Sequence, residues 1–317
     1  MTVHADKIPS LQPGITVVIP VYNRAGIVGA TLQSVARQTY RPMRVVLVDN
    51  NSTDATLNVL RRWASEVEAP DFNVEVVVET HHTAAAARRK GSELVSTEYV
   101  MFFDSDDIMH PAHVERAMRA FESDSDLDIV GWDFPLVNSV GRKLRMCRFY
   151  KKNLIWHGLM NGSMSTQRYA MRTALLHQAG GWNPAIRAWN DMELGIRLAL
   201  LHPKVLKLKG EAAIEVICHP NSITGISFSA DTAKWECALD AIDAELPTRR
   251  YRRMSLLKRA VLAGYYRKEG AISDSQRLMS IIYKRENCPF YRFLFRTAML
   301  WQANGLPGVS LIFRPFF

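Results

Sequence analysis

The chain has 317 residues, 48% hydrophobic and 22% charged, enough for one large domain or a core domain with an appendage and too apolar for a disordered chain. Its four cysteines, Cys147, Cys218, Cys237 and Cys288, form no C-x-x-C pair, which argues against a disulfide framework or zinc site and for a reducing cytosol. No basic-then-apolar signal opens the sequence and no apolar run nears the roughly 18 residues a bilayer span needs, so a soluble or peripherally attached protein is expected.

The first half alternates in period. ITVVIPV (Ile15–Val21) is a continuous β-branched run, expected of a strand buried on both faces. A helical pattern follows, with Ile27, Leu32 and Val35 on one face. MRVVLVD (Met43–Asp49) predicts a second strand, and Asp54 a cap for the helix ATLNVLRRWA. NVEVVVE (Asn73–Glu79) predicts a third strand, TAAAARRKGSELV a helix, and EYVMFF (Glu98–Phe103) a fourth strand. Pro111 stands where the next helix would begin. This order predicts an α/β fold with a mainly parallel central sheet flanked by helices.

Beyond Asp128 the pattern is less regular. DIVGWDFPLV and KLRMCRFY read as two strands joined by a turn at Asn138–Gly141, and a Gly-Gly turn (Gly180, Gly181) precedes a helix from about Asn190 to Leu201. KVLKLK and AAIEVIC read as short strands. From Asp231 the pattern becomes helical and basic, with 15 Lys/Arg against 8 Asp/Glu, so +7 of the net +9 lies there. The expected division is a catalytic domain over 1–230 and a basic helical C-terminal region over 231–317.

Ligands of parallel α/β sheets bind beyond the carboxyl ends of the strands. The first strand ends in Pro20, Val21, Tyr22 and Asn23, the second in Asp49, Asn50, Asn51 and Ser52, and the fourth in Asp104, Ser105, Asp106 and Asp107. Side chains alternate along an extended chain, so Asp104 and Asp106 can face one way and hold a hard divalent cation or a sugar diol. The alternative is a solvated acidic loop with Asp107 capping the next helix. Asp49 ends a buried strand and is suited to accept from a uracil imide or a ribose hydroxyl. Otherwise DNNSTDAT is an Asx-rich turn. Arg88 and Arg89 point about 100° apart on a helix, so only one can face the site. His81 and His82 lack a spaced partner and read as loop histidines with ordinary hydrogen bonds.

Together, ITVVIPVYNRAGIVGATLQSVARQTY, VVLVDNNSTDAT, AAAARRKG, EYVMFFDSDD and GGWNPAIRAWNDMELGIRLA resemble a family 2 glycosyltransferase in order and spacing, over roughly Ile15 to Ser222. The resemblance implies a GT-A-type nucleotide-sugar-binding fold, a nucleotide-diphosphate-sugar donor (a UDP-sugar favoured), Mg²⁺ or Mn²⁺, and transfer with inversion to a saccharide or lipid-linked acceptor. By position, Pro20, Tyr22 and Asn23 would line the nucleoside pocket and Asp49 would hold the base. Arg88 would sit near the nucleotide, Asp104 would contact the ribose or the metal side with Ser105 beside it, and Asp106 would ligate the metal. His219, in CHPNSITG, resembles a metal-ligating histidine of part of the family, and a plain strand-end histidine is the alternative.

The family's catalytic base falls on Asp191. Asn190 stands where the family has an acid, and Asp191 and Glu193 cannot share a helix face, so one of them is positioned and Asp191 is preferred. The replacement at Asn190 keeps open a non-catalytic nucleotide-sugar-binding module. A nucleotidyltransferase would carry a Gly-rich loop with a basic residue, which PVYNRAGIVGA lacks. The basic C-terminal region, with Phe290, Tyr291, Phe293, Phe295, Trp301, Phe313, Phe316 and Phe317, reads either as a surface touching anionic lipid or as helices with solvated basic faces. No nucleic-acid-binding motif accompanies the charge.

Overall fold

The computed structural model describes residues 11–210, 214–218 and 227–317. It begins as the periods predict. Strands β1 (Gln12–Val21), β2 (Met43–Asp49), β3 (Phe72–Val78) and β4 (Thr97–Phe102) alternate with helices α1 (Val28–Ala36), α2 (Thr56–Val67) and α3 (Ala84–Glu93). There follow β5 (Ile108–Met109), α4 (His113–Ser123), β6 (Ile129–Gly131), β7 (Phe134–Val137), β8 (Lys143–Cys147), α5 (Leu154–Asn161), β9 (Tyr169–Arg172), α6 (Thr173–Gln178) and α7 (Asn190–Leu200). The chain continues through β10 (Val205–Lys207), β11 (Ile214–Ile217), α8 (Thr232–Glu245), α9 (Arg249–Lys268), α10 (Ile272–Arg285), α11 (Pro289–Ala303) and α12 (Val309–Ile312).

Two compact units emerge, and the chain passes between them more than once. The first takes Met1–Phe149, Thr166–Pro184 and Pro203–Ile217; the second takes Tyr150–Ser165, Ala185–His202 and Cys218–Phe317. The boundary read from sequence near residue 230 lies inside the last stretch, so the C-terminal helices share a unit with α5 and α7.

In the first unit, among the described residues, a seven-stranded sheet runs β10–β6–β9–β4–β1–β2–β3. β4, β1, β2 and β3 are parallel, as the apolar runs predict. β9 lies antiparallel between β4 and β6. Its sequence, YAMR, is too short to show a period. The run DIVGWDFPLV breaks at Trp132–Asp133: β6 stays in the central sheet, while β7 joins a second sheet of order β5–β11–β7–β8. On one face of the central sheet Ile15, Val17, Ile19, Val45 and Leu47 pack with α1, α2 and α4. Val28, not Ile27, completes the apolar stripe of α1, since Ile27 precedes the helix and is exposed.

α3 packs unusually close to β1 and β2. A Cβ on Gly91 would fall 2.3 Å from Val18 Cγ1 and 3.1 Å from Val48 Cγ2, and Ala85, Ala86 and Ala87 are all buried. The alanine run is therefore a packing requirement as well as a helix former. Thr83 caps the helix, its hydroxyl accepting from Ala86 N–H at 3.0 Å.

The second unit is helical. Its core draws Ile155, Trp156, Met192, Leu239, Leu257, Tyr266 and Phe295 from α5, α7, α8, α9 and α11. Arg259 is fully buried and bridges Asp240 at 2.6 Å and Asp243 at 2.7 Å, which accounts for one arginine the basic pattern left unassigned. Among the described residues no helix is long and apolar enough to cross a membrane.

Candidate active site

The register of the first unit's sheet brings three polar strand ends side by side. Val21 of β1 lies opposite Asp49 of β2. Phe103, just past β4, donates its N–H to Val18 O at 2.9 Å. Neighbouring strands lie roughly 4.8 Å apart, so residues leaving β2, β1 and β4 emerge on one edge.

Two asparagines turn the chain there. Asn23 (φ 48°) and Asn51 (φ 60°) take the left-handed conformation that Asn tolerates better than most residues. Asn23 Oδ1 accepts from Thr53 N–H at 2.8 Å, and its Nδ2 donates to Thr53 Oγ1 at 3.2 Å. Asn23 thus ties the β1 loop to the β2 loop with its amide. Asp54 adds to the tie, accepting from Ala25 N–H at 3.2 Å and from Thr56 N–H at 2.9 Å, just ahead of α2. Tyr22 is partly exposed, and its ring meets His82 edge-on at 4.2 Å. His82 Nδ1 lies 3.2 Å from Asn50 O, an ordinary loop hydrogen bond. Pro20 is half-buried and Ser105 buried.

Asp49 is buried, at 2% exposure. One oxygen, Oδ2, accepts from Ser52 N–H at 3.0 Å, while Oδ1 is buried with no hydrogen-bond partner in the protein. A buried carboxylate oxygen is costly unless some group donates to it.

The three carboxylates after β4 avoid mutual repulsion in three ways. Asp104 accepts from Arg88 Nη2 at 2.7 Å through Oδ1, and from Gln167 Nε2 through Oδ2. Asp106 Oδ2 lies 3.6 Å from Arg24 Nη2. Asp107 is buried, accepts from Ile217 N–H at 3.0 Å, and is pushed well above the usual carboxylate range by burial, with Asp104 and Asp106 adding to it. Asp107 is therefore no helix cap: α4 starts six residues later, at His113, with Ala112 at the cap position.

Arg88 is buried and Arg89 exposed, the latter pairing with Glu93 at 3.4 Å. Close packing of α3 on the sheet carries Arg88 to the strand ends. Trp182 fixes it from the other side: the Arg88 guanidinium lies 5.0 Å from the Trp182 ring, which meets Phe102 edge-on at 5.0 Å. Arg24, Gln167 and Trp182 were not anticipated. The Gly180–Gly181 turn, left-handed at both residues, was the one sequence signal near Trp182. Gln167 sits in a single 3-10 turn, Thr166–Arg168, with no pattern to reveal it.

Asp191 and Glu193 lie in the second unit, at the start of α7. Glu193 is buried and held by Arg197 through two bonds of 2.7 Å, so its carboxylate is structural. Asp191 is half-exposed, and its Oδ1 accepts from Met192 N–H at 2.8 Å. Asn190 is buried, its Nδ2 reaching Ile186 O at 3.5 Å. Trp189, at φ 53°, leads into this turn, and Lys258 of α9 lies 4.5 Å from its ring. Burial pushes the Lys258 ammonium down to about 8, with Asp191 opposing the shift. The expected ligand His219 lies outside the described residues. Among the described residues no group of three or more His, Cys, Asp or Glu is placed to hold a metal ion.

Comparison with known proteins bears on the family and the fold. The chain is 28% identical over 120 residues to the putative glycosyltransferase EpsH of Bacillus subtilis, covering 38% of this chain and 34% of that one. It is 33% identical over 125 residues to glycosyltransferase AglE of Haloferax volcanii, covering 38% and 40%. The matches thus span about a third to two fifths of these relatives. The fold is similar to that of S. aureus TarS 1-349 in complex with UDP, with a TM-score of 0.61 and 16% identity over 96% of this chain and 92% of that one. The architecture is that of the GT-A glycosyltransferases, with a mostly parallel central sheet and a C-terminal helical region. The model of the family described as "Glycosyl transferase family 2" matches residues 16–177, just over half of the sequence and all of the strand ends above, and the chain belongs to that family.

Proposed function

We propose that the protein transfers a sugar from a nucleotide-diphosphate sugar to an acceptor hydroxyl, with inversion at the anomeric carbon. A UDP-sugar is the favoured donor, and a saccharide or lipid-linked molecule the acceptor, in cell-surface polysaccharide or glycolipid synthesis. The observation that carries this reading is Asp49: a buried carboxylate with one oxygen that lacks a partner in the protein, on the same sheet edge as the Asp104–Asp106 strand end and one strand away from it, in a member of this family. An imide N–H or a ribose hydroxyl would satisfy Oδ1. The binding of UDP by the similarly folded TarS agrees with a uracil nucleotide.

Arg88 orders Asp104 toward the ribose, and Tyr22, Pro20 and Asn23 shape the nucleoside pocket, with Ser105 packed behind. Asp106 fits a divalent cation of the Mg²⁺ or Mn²⁺ kind. Such ions commonly take only one or two carboxylates and fill the rest of their shell with water and substrate phosphate, so a three-residue cluster is not needed. When bound, the cation would neutralise the diphosphate and improve it as a leaving group. Arg24, beside Asp106, supplies a second positive charge to the same edge. Asp191 takes the proton of the acceptor hydroxyl as that oxygen attacks the anomeric carbon. Glu193 is excluded from this task by its pairing with Arg197.

The place of action is the cytoplasm, with the C-terminal region touching the inner face of the membrane and residues 1–230 carrying the catalysis. A panel of nucleotide sugars with Mn²⁺, read by mass spectrometry for transfer or hydrolysis, tests the reading. Nucleotide binding without turnover of any donor would instead identify a non-catalytic nucleotide-sugar-binding module.

A further inference from the structure

The last 31 residues, Asn287 to Phe317, contain three arginines and no Asp or Glu. They also carry much of the exposed apolar surface. On α11, Phe290, Phe293 and Leu300 are exposed, and at 100° per residue they share one stripe with Arg296. Phe293 is 65% exposed, and Leu311, on α12, is 75% exposed. The patch extends into the segment after α12: the Phe316 ring lies 6.0 Å from Phe290, and Tyr291 Oη donates to Phe316 O at 3.2 Å.

A cavity of about 340 Å³ adjoins this patch, lined by Arg250, Arg253, Tyr291, Pro315, Phe316 and Phe317. Arg253 lies over the Tyr291 ring at 3.6 Å and is fixed by Glu286 at 2.7 Å. Arg250 Nε donates to Phe317 O, and its side chain is otherwise exposed. Arg249 shares the same Glu286, at 2.9 Å, so Arg249, Arg250 and Arg253 gather here around a single carboxylate side chain.

We propose that this face docks on an anionic phospholipid surface, with Phe290, Phe293, Leu311 and Phe316 entering the headgroup boundary and the Arg250–Arg253 cavity taking one lipid phosphate. The proposal rests on the membrane-contact reading above and narrows it to one face and one cavity. The charge pattern selects the occupant. A second copy would set the same arginines against each other, because a two-fold contact is made by identical patches and residues 287–317 hold no acidic side chain to answer them. Anionic lipid answers both the apolar stripe and the arginines.

Vesicle flotation tests it, using phosphatidylcholine alone or mixed with phosphatidylglycerol. The full chain is expected to float with the anionic vesicles at low salt and less at high salt. Phe293→Ser with Leu311→Ser is expected to lower partition roughly tenfold or more, since each exposed side chain buries apolar area on docking. Arg250→Gln is expected to lower the preference for anionic vesicles roughly fivefold, the contribution of one basic group near such a surface. Inorganic phosphate should not compete at the concentrations of lipid used. UDP binding, measured by calorimetry, should be unchanged in all variants, since none touches the donor residues.

No flotation at low salt overturns the proposal and the membrane reading together. Flotation in which Arg250→Gln keeps the full anionic preference, or in which free phosphate competes, overturns the cavity assignment and leaves membrane contact standing. Light scattering that shows a dimer dispersed by Phe293→Ser and Leu311→Ser, without vesicle binding, assigns the face to a second copy and overturns the proposal.

Discussion

Arg88 Nη2 donates to Asp104 Oδ1 at 2.7 Å, from a helix that can approach the sheet only because Gly91 carries no side chain. The pair is mostly buried on the arginine side, with 9% side-chain exposure against 28% for Asp104. Removing the arginine alone leaves Asp104 facing Asp106 and Asp107 with one neutral donor, Gln167. Arg88→Met is expected to cost about 2–3 kcal/mol, less than for a fully buried pair because Asp104 reaches solvent. Arg88→Met with Asp104→Asn should cost less than the two single changes added together. Urea unfolding of the four proteins measures this, and strict additivity would deny the coupling.

Gly91→Ala tests the close approach of α3 itself. The new Cβ would meet Val18 Cγ1 at 2.3 Å, and neither strand can retreat without breaking β1–β2 pairing. A loss of about 1–3 kcal/mol is expected, although alanine is the better helix former. An equal or higher urea midpoint would show that the helix has room.

Asp49→Asn keeps the shape and removes the charge. The amide can still accept from Ser52 N–H, so the fold should survive. Affinity for UDP is expected to fall roughly tenfold to a hundredfold, the range for losing a charged acceptor. Calorimetry that gives an unchanged Kd removes Asp49 from the base-binding role.

His113 makes the fold acid-sensitive. It is fully buried against Trp132, ring centroids 4.3 Å apart, and neither ring nitrogen has a partner in the protein. Burial pushes its pKa from 6.5 down to about 3, with Arg116 and His110 adding to it. The folded value lies below the unfolded one, so the unfolded chain takes the proton first as pH falls. Stability should be full above 6.5 and fall below it by at most about 1.4 kcal/mol per pH unit from this group. His113→Phe keeps an aromatic ring against Trp132 and should flatten that slope. Urea midpoints measured on the acid side of 6.5 check it: identical slopes in both proteins would remove His113 as the cause.

Much of this was legible in the chain itself. β1 and β2 show as β-branched runs and β4 as an apolar run because these parallel strands are buried on both faces, and the polar residues ending them stand out by contrast. That only one of Arg88 and Arg89 can turn inward follows from helix geometry, and the packing of α3 makes it Arg88. What the sequence hid depends on contacts between distant segments. Gln167 reaches Asp104 from a single 3-10 turn, and β9 enters the sheet with four residues, too few for a period. Asp107 looked like a helix cap because Pro111 suggested an early helix start. The helix starts at His113, and Asp107 turns inward to Ile217, more than a hundred residues away. The preference for Asp191 over Glu193 came from the family position and helix spacing, and the pairing of Glu193 with Arg197 could not be read from either.

The central claim is general-base transfer by Asp191, and Asp191→Asn tests it most directly. On a donor that the wild-type protein turns over, kcat is expected to fall roughly 10²–10⁴-fold while the Kd for UDP stays the same. Near-normal transfer by Asp191→Asn with intact nucleotide binding would contradict the account.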